Sequence, residues 1–268
     1  MNTRAGEPTA ALYGFSTLLL KLLRQDQPAG IAFARDLPGP TFRHERYHEY
    51  KANRPPVPDV LRPQWARLDQ LLAALGVPQL KLAGFEADDV LATAARCLAQ
   101  NGHAVKIVSG DRDLFQTIGP HVRVEFVGAR AQKPKTLDVA AIEARYGVAP
   151  DQLPTLFALV GEAADNLIGV PGIGVRTASK LVARYGSVAG MLADLDAVTP
   201  LKTQQALRDT AERVLMNEEL ARLRVDLELG ADPIVAKITR SALNDVRDLF
   251  EQLEFRSLMA RLALLNVG

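Results

Sequence analysis

The feature that most limits what this chain can fold into is an order met three times: a short apolar run with an acid just past its end. GIAFA at 30–34 ends in Arg35 and Asp36, the run Gln79–Ala83 leads into GFEADDVLA, and AVKIVS within His103–Ser109 leads into GDRD. Apolar runs of this length, spaced by helical patterns, read as buried strands in a β-α-β-α rhythm. That rhythm predicts an α/β class with a mixed, mainly parallel central sheet flanked by helices. In such sheets, sites are built just beyond the strand ends.

Val122–Val127 reads as a further strand, at the edge of the sheet. Helical patterns are read at 8–24, 59–75, 85–100, 136–146 and 151–160, and beyond Lys180 at 189–195, 203–220 and 241–264. The expected division is an α/β core over 1–160 and a helical region over 161–268.

Acids gather at loops and helix starts in four places: Asp36; Glu86 with Asp88 and Asp89; Asp111 with Asp113; and Glu162 with Asp165. Each place alone has a structural alternative. Acids in a first helical turn answer the helix dipole, and D-x-D after a strand can be an Asx turn. Three acids within four residues nevertheless exceed what capping needs, because like charges so close repel unless a cation intervenes. Oxygen donors without Cys or His point to Mg²⁺ or Mn²⁺ and away from zinc. Two such ions suit in-line displacement at a phosphodiester. No GxxxxGK[ST] loop is present, which argues against a nucleotide triphosphatase.

Directly after Glu162 and Asp165 comes NLIGVPGIGVRTASK. Gly169, Gly172 and Gly174 form a turn that opens a helix near Val175, where unpaired N–H groups can meet a phosphate. Arg176 and Lys180, four apart, place two cations on one face of that helix. A tight turn between packed helices is the alternative reading.

Residues 41–67 interleave Arg43, Arg46, Lys51, Arg54, Arg62 and Arg67 with Phe42, Tyr47 and Tyr50. Such a mixture suits a frayed nucleic acid, with cations on phosphates and rings on bases; a solvated helix face followed by a proline-rich loop is the alternative. Net charge is only +1, so local charge and not the total has to carry that reading. A single cysteine, Cys97, excludes an internal disulfide framework and fits a reducing cytoplasm. LLLKLL at 18–23 is interrupted by Lys21 and too short to span a bilayer.

The segments TFRHERYHEYKANRPPVP, GFEADDVLA, VSGDRDLFQ and GEAADNLIGVPGIGVRTASKL resemble the 5′-3′ exonuclease domain of bacterial DNA polymerase I, of the flap endonuclease family, from about Gly6 to the C-terminus. The resemblance implies a PIN-like 5′ nuclease fold with a helical arch at about 41–67 and a C-terminal helix-3-turn-helix region. It implies cleavage near 5′ ends of flap, nicked or duplex DNA in replication and repair, by a monomer, with a polymerase as a further partner.

Asp36, Glu86 and Asp88 then correspond to ligands of a first metal, and Asp89, Asp111, Asp113 and Asp165 to ligands of a second. Glu162 stands where the family usually has Asp, a change an outer ligand absorbs more easily. Tyr50, Lys51 and Arg54 match arch residues at the scissile phosphate, and Arg43 joins the expected DNA contacts. The turn Gly169–Gly174 matches the duplex-binding turn with its K⁺ ion. The family begins with a strand ending in an aspartate ligand, and this sequence starts downstream of it, with Glu7 the only acid in residues 1–10. Two expectations follow: a natural start upstream of Met1, or a structure-selective DNA-binding protein with impaired cleavage.

Overall fold

A computed structural model of the chain describes residues 1–128, 134–230 and 235–265. In the first half run α1 (Ala10–Asp26), β1 (Phe33–Ala34), α2 (Phe42–Arg46), α3 (Arg62–Ala74), β2 (Gln79–Leu80), α4 (Ala87–Gln100), β3 (Val105–Ser109), β4 (Val122–Phe126), β5 (Lys135–Leu137) and α5 (Val139–Tyr146). The second half adds α6 (Leu153–Val160), β6 (Gly161–Glu162), β7 (Leu167–Ile168), α7 (Val175–Tyr185), α8 (Val188–Ala193), α9 (Leu201–Asp209), α10 (Ala211–Ala221), α11 (Arg240–Gln252) and α12 (Arg256–Leu262). None of the described helices is long and apolar enough to cross a membrane.

The chain forms two compact units. One gathers Met1–Arg35, Pro55–Leu80 and Gly230–Gly268. Its core joins Leu12, Leu20 and Leu23 of α1 to Leu68, Leu71 and Leu72 of α3 and to Val246, Phe250 and Leu258 of α11 and α12. Thr9, at the start of α1, offers no side-chain cap. The buried Gln64 carboxamide oxygen accepts instead from Ala11 N and Leu12 N at 2.9 and 3.2 Å, satisfying donors that a helix start leaves open. β1 and β2 pair in parallel, Phe33 opposite Gln79.

The other unit, Asp36–Arg54 with Lys81–Leu229, carries all the acidic candidates, Arg43, Tyr50, Lys51, Arg54 and the glycine turn, whereas Arg62 and Arg67 of the basic segment belong to the first. Its sheet has the order β3-β4-β5, with β3 and β4 parallel and β5 antiparallel to β4. Val122–Phe126 is therefore the central strand of the three and not an edge, which accounts for the burial of Val122 and Val124. The apolar Leu114, Phe115, Leu156 and Leu159 share one core with these strands.

Three helical readings shift. Thr136 lies in β5, because Asp138 caps the following helix by accepting from Ala141 N at 2.9 Å. The pattern over 203–220 breaks at Thr210 into α9 and α10. That over 241–264 breaks where Glu254 takes a left-handed φ of 58°.

Candidate metal and nucleic-acid site

Each carboxylate is delivered by a strand end or a helix start. β3 ends at Ser109, whose hydroxyl accepts from Asp111 N at 3.0 Å, while the Asp111 carboxylate accepts from Asp113 N at 3.0 Å. The Asx turn weighed from sequence is thus present, and it fixes the backbone of Asp113 where the 3-10 turn Asp113–Thr117 begins. Glu86 starts α4, and the Asp36 carboxylate accepts from Ala87 N at 2.7 Å, which fixes Asp36 to the same helix start. α6 is buried along its length and ends at Gly161, after which β6 and a 3-10 turn present Glu162 and Asp165.

These acids share one electrostatic neighbourhood. Burial pushes the Asp88 carboxyl up to about 7, and repulsion from Asp111, Glu86 and Asp36 adds to it against the pull of Lys51. Burial likewise raises Asp113 well above the carboxylate range, with Glu162, Asp111, Asp165 and Asp88 contributing. Glu162 is raised by burial and partly restored by Arg112. Asp88 and Asp113 accept no hydrogen bond from any described residue.

On the opposite side of the cluster stand cations. Residues 49–54, after α2, are stitched to the acidic loop: Lys51 N donates to Asp165 O (3.1 Å), Asn53 Nδ2 to Ala163 O (2.7 Å), Arg54 Nε to Ala164 O (3.2 Å) and Asn166 Nδ2 to Glu49 O (2.8 Å). Lys51 sits at φ 56°, a strained conformation held by these bonds. Lys51 Nζ then meets Glu86 at 2.5 Å, Arg54 Nη2 meets Asp165 at 2.6 Å, and the buried Tyr50 hydroxyl donates toward Glu86 (3.1 Å) and Asp165 (3.0 Å). Burial and these two carboxylates raise the Tyr50 phenol, so it stays a proton donor.

The donor set suits a hard divalent cation in kind: crowded oxygens, like charges without a counter-ion, and raised proton affinity. As the side chains stand, no three of the described carboxylates are grouped at ligating positions. Lys51, Arg54 and Arg112 hold Glu86, Asp165 and Glu162, and an ion would take these cations' place.

Two expected roles are corrected. Asp89 is fully buried and closes a bidentate bridge with Arg43, Nη1 to Oδ2 at 2.6 Å and Nη2 to Oδ1 at 2.9 Å. It also accepts from Glu86 N and Arg224 N, which fills its lone pairs and leaves none for a metal. Arg43 is 1% exposed and so cannot meet DNA. Burial works against its charge, but Asp89 and Glu86 hold the guanidinium protonated. The remaining cations of 41–67 are paired as well: Arg46 with Glu219, Arg62 with Asp59, Arg67 with Glu7.

The glycines divide. Gly172 has φ 79° and open space around it, as a ligand-facing turn requires. Gly169 is pressed on Gly161, where an added Cβ would lie 2.3 Å from the Val160 carbonyl carbon, so it serves close backbone packing. Gly174 caps α7, from which Arg176 and Lys180 project, exposed and unpaired among the described residues.

Sequence reading missed Arg112, although a cation between two acids was a usable signal. It also missed Asn217, which is buried and donates to Ala158 O and Ile168 O at 3.2 and 3.0 Å, holding the acidic loop beside the turn. Nothing in the local sequence marks that residue.

Residues 1–147 match the family model described as 5′-3′ exonuclease, N-terminal resolvase-like domain, and residues 148–243 that described as 5′-3′ exonuclease, C-terminal SAM fold. The chain is 39% identical over 260 residues to DNA polymerase I of Mycobacterium tuberculosis (strain ATCC 25618 / H37Rv), 97% of this chain and 29% of that protein. It is 38% identical over 266 residues to the thermostable DNA polymerase I of Thermus thermophilus, 99% of this chain and 31% of that protein. The chain thus spans under a third of the length of these curated relatives.

Among solved structures, T5 5′-exonuclease with bound zinc superposes with a TM-score of 0.69 at 18% identity, covering 97% of this chain and 93% of that one. The catalytic core of Rad2 in complex with DNA substrate superposes with a TM-score of 0.59 at 17% identity, covering 94% and 83%. These two likenesses establish the fold.

Proposed function

The chain belongs to the 5′-3′ exonuclease family and has its fold, a resolvase-like N-terminal part followed by a SAM-like helical part, and from that premise we propose that it is a divalent-metal-dependent 5′-3′ exonuclease and flap endonuclease. The observation that carries the reading is the cluster itself, in which half-buried Asp88 and Asp113 crowd other acids without a counter-ion while Lys51 and Arg54 stand at the neighbouring carboxylates. Asp36, Glu86 and Asp88 would hold one Mg²⁺ or Mn²⁺, and Asp111, Asp113 and Asp165 the other, with Glu162 outside them. Bound there, the ions would supply an activated water and charge stabilisation at the leaving oxygen.

The chain's own residues do the rest. Lys51 and Arg54, released from Glu86 and Asp165, present two cations to the phosphate whose charge rises in the transition state. Tyr50, kept protonated, holds the two carboxylates it bridges in place. Gly172 and Gly174 let the backbone approach a DNA phosphate, with Arg176 and Lys180 beside it and a K⁺ ion at the turn. The substrate is DNA with a 5′ end or flap, and the chain acts as a monomer in the cytoplasm, alongside a polymerase.

Incubating the chain with a 5′-labelled flap duplex and Mg²⁺ tests this reading. Release of short labelled products that stops in EDTA is expected. Flap binding in Ca²⁺ with no cleavage in Mg²⁺ or Mn²⁺ would establish the impaired DNA-binding protein instead.

A further inference from the structure

Arg43 and Asp89 are left without a role by the corrections above, yet six hydrogen bonds hold the pair in place. Four of the five guanidinium N–H groups make hydrogen bonds, and Nη1 also forms an ion pair. Nε donates to Leu220 O at 2.8 Å, Nη2 to Asp89 and to Arg222 O at 3.3 Å, and Nη1 to Asp89, with Glu86 Oε2 3.3 Å away. At 1% exposure the guanidinium offers no donor to a phosphate, and Asp89 already accepts four hydrogen bonds. Phe42 and Arg224 close over the pair, each guanidinium lying 4.5–5.0 Å from the Phe42 ring centroid.

A buried ion pair is seldom worth more to stability than apolar side chains of the same size, so stability alone does not account for it. Its position does more. The pair joins the base of the 42–54 segment, the first turn of α4 and the 220–224 exit of α10, and Arg43 Nη1 lies 3.3 Å from the Glu86 carboxylate.

We propose that Arg43 and Asp89 are positioning residues that set Glu86, through its backbone N–H and its carboxylate, for divalent-metal loading without touching metal or DNA. The inference rests on the reading of Glu86 as a metal ligand. Without the pair, Glu86 loses the Asp89 bond that fixes its backbone N–H at the start of α4.

The test uses the full chain with three readouts: Mn²⁺ titration followed by electron paramagnetic resonance without DNA, flap affinity in Ca²⁺ by fluorescence anisotropy, and thermal melting. In Arg43→Met/Asp89→Leu, which removes both charges together, the half-saturating Mn²⁺ concentration is expected to rise about tenfold while flap affinity stays within about twofold. Glu86→Gln made in that background should add little, because both changes act on one ligand.

Unchanged Mn²⁺ affinity in the double variant overturns the proposal. So does full additivity with Glu86→Gln, lost flap affinity at unchanged Mn²⁺ affinity, or absence of Mn²⁺ binding in the parent chain. Should the double variant fail to fold, Arg43→Lys keeps the charge but not the two-pronged grip, and it must still weaken Mn²⁺ binding. A parent chain that binds Mn²⁺ but leaves flaps uncut removes the nuclease reading and leaves this one to stand or fall on the Mn²⁺ shift.

Discussion

Two sides of one carboxylate cluster differ in how their charge is balanced. Glu86, Asp165 and Glu162 meet Lys51, Arg54 and Arg112 at 2.5, 2.6 and 2.8 Å. Asp88, Asp111 and Asp113 form no ion pair among the described residues, and for Asp88 and Asp113 burial and mutual repulsion raise proton affinity, for Asp88 against the pull of Lys51. Half of the cluster is thus neutralised by the chain's own cations, and the other half is not. On the function proposed above, a site that binds metal and then a polyanion would gain from this asymmetry, since the built-in cations could turn from carboxylate to phosphate.

The largest expected effect lies on the unpaired side. Asp113→Asn removes one of the acids that a cation would balance, and cleavage of a 5′ flap should fall by about 10³-fold or more, as expected for several kcal/mol of lost transition-state stabilisation. Flap affinity in Ca²⁺ should hold. Equal loss of binding would show that Asp113 shapes the DNA surface and not the chemistry.

On the paired side, Lys51→Ala should lower single-turnover cleavage by about 10²-fold, the scale of one lost charge-stabilising donor. It should also tighten Mn²⁺ binding, because a competitor for Glu86 has gone. Weaker Mn²⁺ binding would reverse the order of events assigned to Lys51.

The comparison also predicts how stability responds to pH. An acid whose folded-state pKa is raised contributes stability that is fully present below its ordinary value, 3.8 for Asp88, and is lost as pH climbs to about 7. In the metal-free chain, Asp88→Asn should therefore raise the melting temperature by several degrees at pH 8 and by little at pH 4. The same substitution should reduce the stabilisation that Mg²⁺ gives at pH 8. A melting difference independent of pH would separate Asp88 from the cluster's charge. The smallest effect belongs to the turn: Gly172→Ala meets no atom within 4 Å but must adopt φ 79°, costing about 1–2 kcal/mol locally and weakening flap binding several-fold.

Much of this was legible in the order of residues. The strand-then-acid rhythm placed Asp111 and Asp113 at the end of β3, and the glycine turn placed the start of α7 at Val175. What stayed hidden depended on three-dimensional partners. Asp88 and Asp89 are adjacent in one helical turn, and only the burial of Arg43 against the latter separates a cluster acid from a structural counter-ion. The central place of Val122–Phe126 is hidden because the pattern over 136–146 reads as one helix, which conceals β5 as the strand's second neighbour. The segment 41–67 reads as basic, yet each of its Arg and Lys side chains meets a carboxylate that lies from 3 to 173 positions away.

The most direct measurement is anomalous scattering from crystals of the chain soaked in Mn²⁺. The predicted result is density at two places, one among Asp36, Glu86 and Asp88 and one among Asp111, Asp113 and Asp165, with Lys51 and Arg54 displaced from their carboxylates. Density elsewhere, or none at saturating Mn²⁺ with the Lys51–Glu86 and Arg54–Asp165 pairs intact, would contradict the account.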